Sequence, residues 1–164
     1  MDASAISQII FLIILLILSA FFSSAETALT TVNKIRMRTL ADDGNRRAER
    51  VLRITDDSHK MLSAILIGNN IVNLSASSLA TTLAIKLWGS VGAGIATGIL
   101  TFLILVFGEI SPKTFATLYA DQISIAYSGI IDFLMKILTP VIFLVNWFSM
   151  GFLFLLHVDP KANN

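Results

Sequence analysis

Long apolar runs separated by polar segments dominate the hydrophobic pattern of the chain. The first run without a charged residue extends from Ala3 to Ala25 and holds 23 residues. At about 1.5 Å per residue it forms a helix of about 35 Å, enough to cross a hydrocarbon core of about 30 Å. Two further uncharged runs are Met61 to Ile85 and Leu87 to Gly108. The pattern predicts transmembrane helices over about residues 4–28, 60–86 and 90–112.

The fourth apolar segment, Ile123 to Leu156, allows two interpretations. Its last part, Ile137 to Leu156, is twenty residues long and uncharged, which favours a fourth membrane span. Asp132 and Lys136, however, lie one helical turn apart, which is typical of the polar edge of a helix on the membrane surface, and Pro140 would turn the chain. Hydropathy alone slightly favours the span and leaves the question open.

Between the first two apolar runs the chain carries charges of both signs. Eight of the twelve Lys and Arg residues lie between Lys34 and Lys60, interleaved with acids and with apolar positions at helical spacing. This pattern predicts short amphipathic helices on the membrane surface within residues 33–57. The positive-inside rule places them in the cytoplasm and the N-terminus outside. Anionic lipids are the expected partners, because interleaved acids and missing aromatic platforms argue against nucleic acid.

The composition agrees with a membrane protein. Of the 164 residues, 55% are hydrophobic and 14% charged. A cleaved signal peptide is a weaker interpretation of the first run, since Asp2 replaces a basic residue and the apolar stretch is long. Cysteine is absent and the two histidines stand far apart, so a metal site would use oxygen ligands and take a hard cation. We expect an all-α integral membrane protein that is not an enzyme.

The second apolar run carries an unusual set of polar side chains. Asn69, Asn73, Ser77 and Thr81 recur every four residues, so they share one slowly drifting helix face. Hydrogen bonding between helices, at about 0.6 kcal/mol per pair, would explain any single one of them. The dense group of Asn69, Asn70 and Asn73 instead favours a polar cavity.

The third apolar run ends on Gly108-Glu109, followed by Pro112-Lys113. A carboxylate at the centre of a membrane helix costs about 2.5 to 3.5 kcal/mol, so Glu109 needs a partner or a function. Pro112 lacks an N–H and crowds the Gly108 carbonyl, which predicts a kink that frees this oxygen. The structural alternative for Glu109 is an ion pair with Lys113, one turn later.

The polar clusters are expected at similar depths. At about 1.5 Å per residue, Ser23, Asn69 and Glu109 lie about 5, 12 and 3 Å from the inner boundary of the hydrocarbon core. Hydroxyl, amide and carboxylate oxygens together with the Gly108 carbonyl suit Mg²⁺ or Ca²⁺, and Na⁺ with fewer charges. The residues therefore predict a cation site. Glu26, at the end of the first run, fits either this site or contact with lipid headgroups.

Three motifs, one at each polar cluster, carry a family resemblance. They are Phe22-Ser23-Ser24-Ala25-Glu26-Thr27-Ala28, Ile67-Gly68-Asn69-Asn70-Ile71-Val72-Asn73 and Phe107-Gly108-Glu109-Ile110-Ser111-Pro112-Lys113. In this order, and over nearly the whole chain, they resemble the transmembrane domain of the CorC and cyclin M family of magnesium transporters. The resemblance implies a homodimer of three-span protomers in the plasma membrane, with the N-terminus outside and the C-terminus cytoplasmic, that exports Mg²⁺ in exchange for Na⁺.

The resemblance also implies roles for single residues. It places the side chains of Ser23, Asn69 and Glu109 and the Gly108 carbonyl around the transported Mg²⁺, and Pro112 at a helix break. The additional candidates for the site or its cavity are Glu26, Asn70, Asn73 and Ser77.

The same resemblance bears on the C-terminal part. An outward N-terminus and a cytoplasmic C-terminus require an odd number of spans, so residues 122–157 are predicted to wrap along the inner face as a belt. The transmembrane domain is then 1–158, and 159–164 begin a linker to cytoplasmic nucleotide-binding CBS modules, which this sequence lacks. Nucleotide regulation is accordingly not expected here.

Three functional interpretations remain. A sodium-driven magnesium exporter is favoured, and a membrane protein that senses magnesium without transporting it is the alternative. A passive channel ranks last, because polar residues outside the inner half are sparse. The residues alone do not distinguish Mg²⁺ from Ca²⁺ or Mn²⁺.

Overall fold

The chain folds into helices in the computed structural model, which describes residues 3–157. The N-terminal half contains α1 (Ala3–Thr31), α2 (Lys34–Asp42), α3 (Arg46–Asp56) and α4 (Ser58–Trp88). The C-terminal half contains α5 (Gly92–Leu103), a π-helical segment (Ile104–Ile110), α6 (Ser111–Leu118), α7 (Ala120–Ile137) and α8 (Thr139–Leu155). Within the described range there is no strand, which confirms the all-α prediction. The predicted linker 159–164 lies outside the described residues, as do positions 1, 2 and 158.

Three helices are long and apolar enough to cross a membrane. They are α1, α4 and the continuous helix Gly92–Leu118, which joins α5, the π-helical segment and α6. The predicted membrane helices are thus confirmed. The first two contain the predicted spans 4–28 and 60–86. The third begins two residues later than the predicted 90–112, and it ends six residues later because its helix continues through Pro112.

The last two helices meet at a sharp bend. α7 and α8 form an angle of 65° around Leu138, and Pro140 lies in the first turn of α8, where a missing N–H breaks no helical hydrogen bond. The two helices together satisfy the length and hydropathy of one broken span. The belt over 122–157 therefore stays a prediction, with a broken fourth span as its alternative.

Asparagine side chains begin the two short helices between the first two spans. Asn33 accepts a hydrogen bond from the N–H of Arg36, and Asn45 accepts from the N–H groups of Arg47 and Ala48. Each satisfies backbone donors that a helix start leaves unpaired. Gly44 turns the chain between them at a φ of +94°, which glycine adopts without strain.

The core is centred on α1 and α4 and extends into α3 and α7. Its fully buried large apolar side chains are Leu29, Met37, Val51, Ile54, Met61, Ile65 and Ile131. Many other large apolar side chains of the spans are exposed, among them Ile17, Leu74 and Phe102. Exposure of this kind is stable in hydrocarbon, since lipid tails are as apolar as leucine.

Two aspartates of α7 attach it to the charged helix pair. Asp121 accepts hydrogen bonds from the N–H of Asn33, at 3.0 Å, and from Arg36 Nη1, at 2.8 Å. Asp132 Oδ2 lies 2.7 Å from Arg53 Nη2. The start of α7 is thereby fixed to the start of α2, and its middle to the end of α3.

Candidate metal site

Two glycines bring the other spans against the same stretch of α1. A Cβ atom on Gly68 of α4 would lie 2.5 Å from Phe22 Cζ, and one on Gly108 of the π-helical segment would lie 2.8 Å from Ser19 Oγ. Neither distance leaves room for a side chain. The stretch from Ser19 to Ser23 is therefore held between Gly68, which precedes Asn69, and Gly108, which precedes Glu109.

Four buried oxygens without a hydrogen-bond partner lie on α1 and α4, the two helices that meet at Gly68. They are Ser19 Oγ and Ser23 Oγ on α1 and Asn69 Oδ1 and Asn73 Oδ1 on α4. Each pair is separated by one helical turn, so it shares a helix face. In the described part of the chain only Gln8 Oε1 and Ser124 Oγ share this property. The unpaired oxygens are thus concentrated on α1 and α4, which pack against each other.

Such an arrangement is costly unless the oxygens bind something. Ser19 is 1% exposed and Ser23 is fully buried, and a buried polar group without a hydrogen bond destabilises a protein by about 1 to 3 kcal/mol. Serine elsewhere on α1 avoids this cost, since Ser24 Oγ donates to the Phe21 carbonyl at 3.0 Å. Coordination of a cation by the hydroxyl and amide oxygens would offset it.

Glu109 is half-buried in the π-helical segment, next to Gly108. Its Oε2 lies 3.5 Å from Lys113 Nζ, so the ion pair expected as the structural alternative is present. The Lys113 side chain is 43% exposed, and pairs of this kind contribute about 0 to 1 kcal/mol. A cation at this carboxylate would therefore have to replace the lysine.

The irregularity of the third span lies before Pro112. The backbone from Ile104 to Ile110 is π-helical, and the Ser111 N–H donates to the Val106 carbonyl five residues back. The widened turns end at Ile110, two residues before Pro112, whose ring would crowd the Gly108 carbonyl in a regular α-helix. The expected kink thus takes the form of a π-helical segment within a continuous helix. Such segments are frequent at functional sites.

The remaining predicted residues divide into two groups. Asn73 joins Asn69 among the buried oxygens, and Glu26 is half-buried on α1, three residues after Ser23. Asn70 and Ser77 are exposed, so they are not among the buried oxygens, and their place in the cavity stays a prediction. No group of three or more His, Cys, Asp or Glu side chains in residues 3–157 is placed to hold a metal. The candidate site therefore depends on neutral oxygens and one carboxylate.

Sequence reasoning missed Ser19. It lies in the apolar part of the first run, four residues before Ser23. The spacing of four that singled out the polar residues of the second run would have found it on the first. Its contact with Gly108 was not visible, because it depends on how the first and third spans pack.

The helices and their buried oxygens define a polytopic membrane protein with a polar site inside its helix bundle. Residues 10–164 match the family model of the cyclin M transmembrane N-terminal domain, and the chain belongs to this family. It is a family of membrane transporter and regulator domains associated with magnesium transport, not an enzyme family.

Similar proteins occur in bacteria and plants. A UPF0053 protein of Haemophilus influenzae is 45% identical over 150 residues, which cover 91% of this chain and 36% of the relative. The UPF0053 inner membrane protein YfjD of Escherichia coli is 42% identical over 129 residues, 79% of this chain and 30% of the relative. A chloroplastic DUF21 domain-containing protein of Arabidopsis thaliana is 39% identical over 156 residues, 94% and 24% respectively. The chain thus spans about a third of the length of the bacterial relatives and less of the plant one.

Proposed function

We propose that this domain exports Mg²⁺ from the cytoplasm in exchange for Na⁺. The observation that carries the proposal is the set of four buried, unpartnered oxygens on α1 and α4, two helices that pack against each other, with one of them, Ser19 Oγ, in contact with Gly108. Membership of a family associated with magnesium transport supports the choice of ion.

The ligands that we assign to Mg²⁺ are the oxygens of Ser23, Asn69 and Glu109 and the Gly108 carbonyl. Mg²⁺ takes about six oxygens at about 2.0 to 2.1 Å and keeps several waters, so water would complete the shell. One carboxylate only partly neutralises the ion. A site of this charge binds moderately, and moderate binding is what a transported ion needs in order to leave again.

Lys113 supplies the counter-charge in this proposal. Its Nζ is 3.5 Å from the Glu109 carboxylate, and it balances that carboxylate when the site holds no cation. Mg²⁺ would displace the ammonium group, which reaches polar surroundings because the side chain is partly exposed. Lys113 is thus not a ligand.

We assign Na⁺ to two neutral side-chain oxygens, each one helical turn away from a proposed Mg²⁺ ligand. Ser19 precedes Ser23 on α1, and Asn73 follows Asn69 on α4. Because consecutive spans run in opposite directions, Ser19 and Asn73 lie on the same side of the Mg²⁺ ligands. A hydroxyl and an amide without a carboxylate suit a monovalent hard cation. The predicted topology puts this layer towards the outside.

We also infer a homodimer in the plasma membrane with the N-terminus outside. The topology rests on the basic residues of α2 and α3, which favour the cytoplasmic side, and the dimer rests on the family resemblance. Because the relatives are much longer than this chain, we place the CBS modules in the remainder of the whole protein. Light scattering of the detergent-solubilised chain tests the dimer, and a monomer mass would contradict it.

Transport is tested with the chain reconstituted in liposomes that contain a magnesium-sensitive dye. An imposed Na⁺ gradient should drive Mg²⁺ flux, and Asn69→Ala should abolish the flux while the exposed-residue variant Asn70→Ala retains it. Mg²⁺ flux that does not depend on the Na⁺ gradient would show that transport is not coupled to Na⁺. If Mg²⁺ stabilises the unmodified chain but no flux occurs, the domain is a magnesium sensor instead.

A further inference from the structure

A polar cavity of about 550 Å³ lies between α3 and α7, formed by other helices than the candidate metal site. We name it the arginine cavity. Its volume falls in the range of about 300 to 1,000 Å³ that is usual for small-molecule sites. Four basic and two acidic side chains line it, with a formal net charge of +2: Arg46, Glu49, Arg50, Arg53, Asp132 and Lys136.

Two of the basic side chains share one carboxylate inside the cavity. Asp132 Oδ2 lies 2.7 Å from Arg53 Nη2 and 3.5 Å from Lys136 Nζ. One carboxylate therefore serves two cations and also attaches α3 to α7. This part of the cavity is structural.

The other two basic side chains lack such a partner. Within residues 3–157, neither Arg46 nor Arg50 forms an ion pair, and Glu49 is the only further acid of the wall. Arg50 Nη1 lies 3.0 Å from the position of a Cβ on Gly129, so glycine allows the guanidinium to lie on the α7 backbone. Packing, not a carboxylate, thus orients Arg50.

A guanidinium group that is prearranged like that of Arg50 matches phosphate. The planar fork of arginine donates two parallel hydrogen bonds to phosphate oxygens, and such bonds are among the stronger ones in proteins. A phosphate anion would also offset the surplus positive charge of the cavity. The chemistry of the walls thus selects a phosphate group over a neutral ligand.

The exposed apolar side chains of α8 indicate that the phosphate belongs to a lipid. Lys136 lies just before the bend that leads into α8, and α8 exposes large apolar side chains such as Phe143, Trp147 and Phe148. A ligand with a phosphate beside α3 and an apolar part beside α8 would satisfy both surfaces. We propose that the arginine cavity binds the phosphate group of an anionic phospholipid.

The test compares two adjacent arginines. Arg46 and Arg47 are both exposed and both lie in the first turn of α3, but only Arg46 lines the cavity. Thermal unfolding of the full chain in a neutral detergent is followed while short-chain phosphatidylglycerol, short-chain phosphatidylcholine or inorganic phosphate is added. Phosphatidylglycerol should stabilise the unmodified chain more than phosphatidylcholine does.

Arg46→Gln should weaken the apparent affinity for phosphatidylglycerol about fivefold, which corresponds to about 1 kcal/mol, and Arg47→Gln should leave it unchanged. Arg50→Gln should also weaken the apparent affinity for phosphatidylglycerol, because the Arg50 guanidinium lines the same cavity. Equal effects of Arg46→Gln and Arg47→Gln would overturn the proposal, because diffuse surface charge would then explain the binding. Equal stabilisation by inorganic phosphate and phosphatidylglycerol would overturn the assignment to a lipid.

Discussion

Ser19 Oγ lies 2.8 Å from the position that a Cβ atom on Gly108 would occupy. A hydroxyl of the first span thus takes the space that any side chain at position 108 would need. The contact joins the first and third spans at one of the unpaired oxygens of α1, next in sequence to Glu109. Packing of the spans and composition of the candidate site are therefore linked at this glycine.

Gly108→Ala should destabilise the protein by about 1 to 3 kcal/mol, because the added methyl group overpacks the contact with Ser19. Chemical unfolding in detergent measures the change. Gly98→Ala is the matched control, since it lies in the same span and nothing lies within 4 Å of its added Cβ.

The double variant Ser19→Ala/Gly108→Ala separates packing from ligation. Without the hydroxyl, the nearest atom of residue 19 is its Cβ, at 3.4 Å from the new methyl group, so most of the lost stability should return. A double variant as unstable as Gly108→Ala would contradict the contact.

Gly68→Ala should also destabilise the protein by about 1 to 3 kcal/mol. Its Cβ would lie 2.5 Å from the Phe22 ring, which must move away from α4. Gly94→Ala, with nothing within 4 Å of its Cβ, is the control and should be close to neutral. Phe22→Leu should restore part of the stability of Gly68→Ala. No restoration would show that Phe22 is not the residue that opposes the methyl group.

Asn69→Ala should have opposite effects on stability and on magnesium binding. Removal of a buried oxygen without a partner relieves a cost of about 1 to 3 kcal/mol, so the variant should be as stable as the unmodified chain, or more stable, when Mg²⁺ is chelated. Its stabilisation by Mg²⁺ should be lost. Asn70→Ala, at an exposed position, should retain that stabilisation. A large loss of stability in chelator would instead make Asn69 a structural residue.

Asp121→Ala should destabilise the protein more than Arg36→Ala does. Asp121 accepts two hydrogen bonds and its side chain is only 17% exposed, whereas Arg36 is 63% exposed. Charged hydrogen bonds contribute about 1.5 to 3 kcal/mol, but the exposed partner of an ion pair contributes about 0 to 1. Unfolding of the two variants in denaturant decides the order. Equal losses would show that the Asn33 N–H bond adds nothing.

The hydrophobic pattern was sufficient to predict the spans, because in lipid an uncharged run of more than twenty residues has one stable conformation. The regular spacing of Asn69 and Asn73 likewise placed them on one face. Residues that meet across helices were harder to predict. The contacts of Ser19 with Gly108 and of Arg50 with Gly129 depend on how the helices pack, which the sequence does not show.

The form of local irregularities in the helices could not be predicted from the sequence either. Pro112 requires a departure from the α-helix nearby, but a kink and a π-helical segment both satisfy the missing donor. The structure shows the π-helical segment. In the same way Pro140 predicted a turn between α7 and α8, but not whether the pair crosses the membrane.

Magnesium titration of the unmodified chain and of Glu109→Gln tests the central claim most directly. Binding to the folded state alone raises stability by RT ln(1 + [L]/Kd), about 2.7 kcal/mol at a hundredfold excess over Kd. Thermal unfolding at constant ionic strength should show this saturable rise for the unmodified chain. For Glu109→Gln the apparent affinity for Mg²⁺ should be at least about tenfold weaker, because the site's only carboxylate is gone. The same titration curve for both proteins would contradict a magnesium site at Glu109.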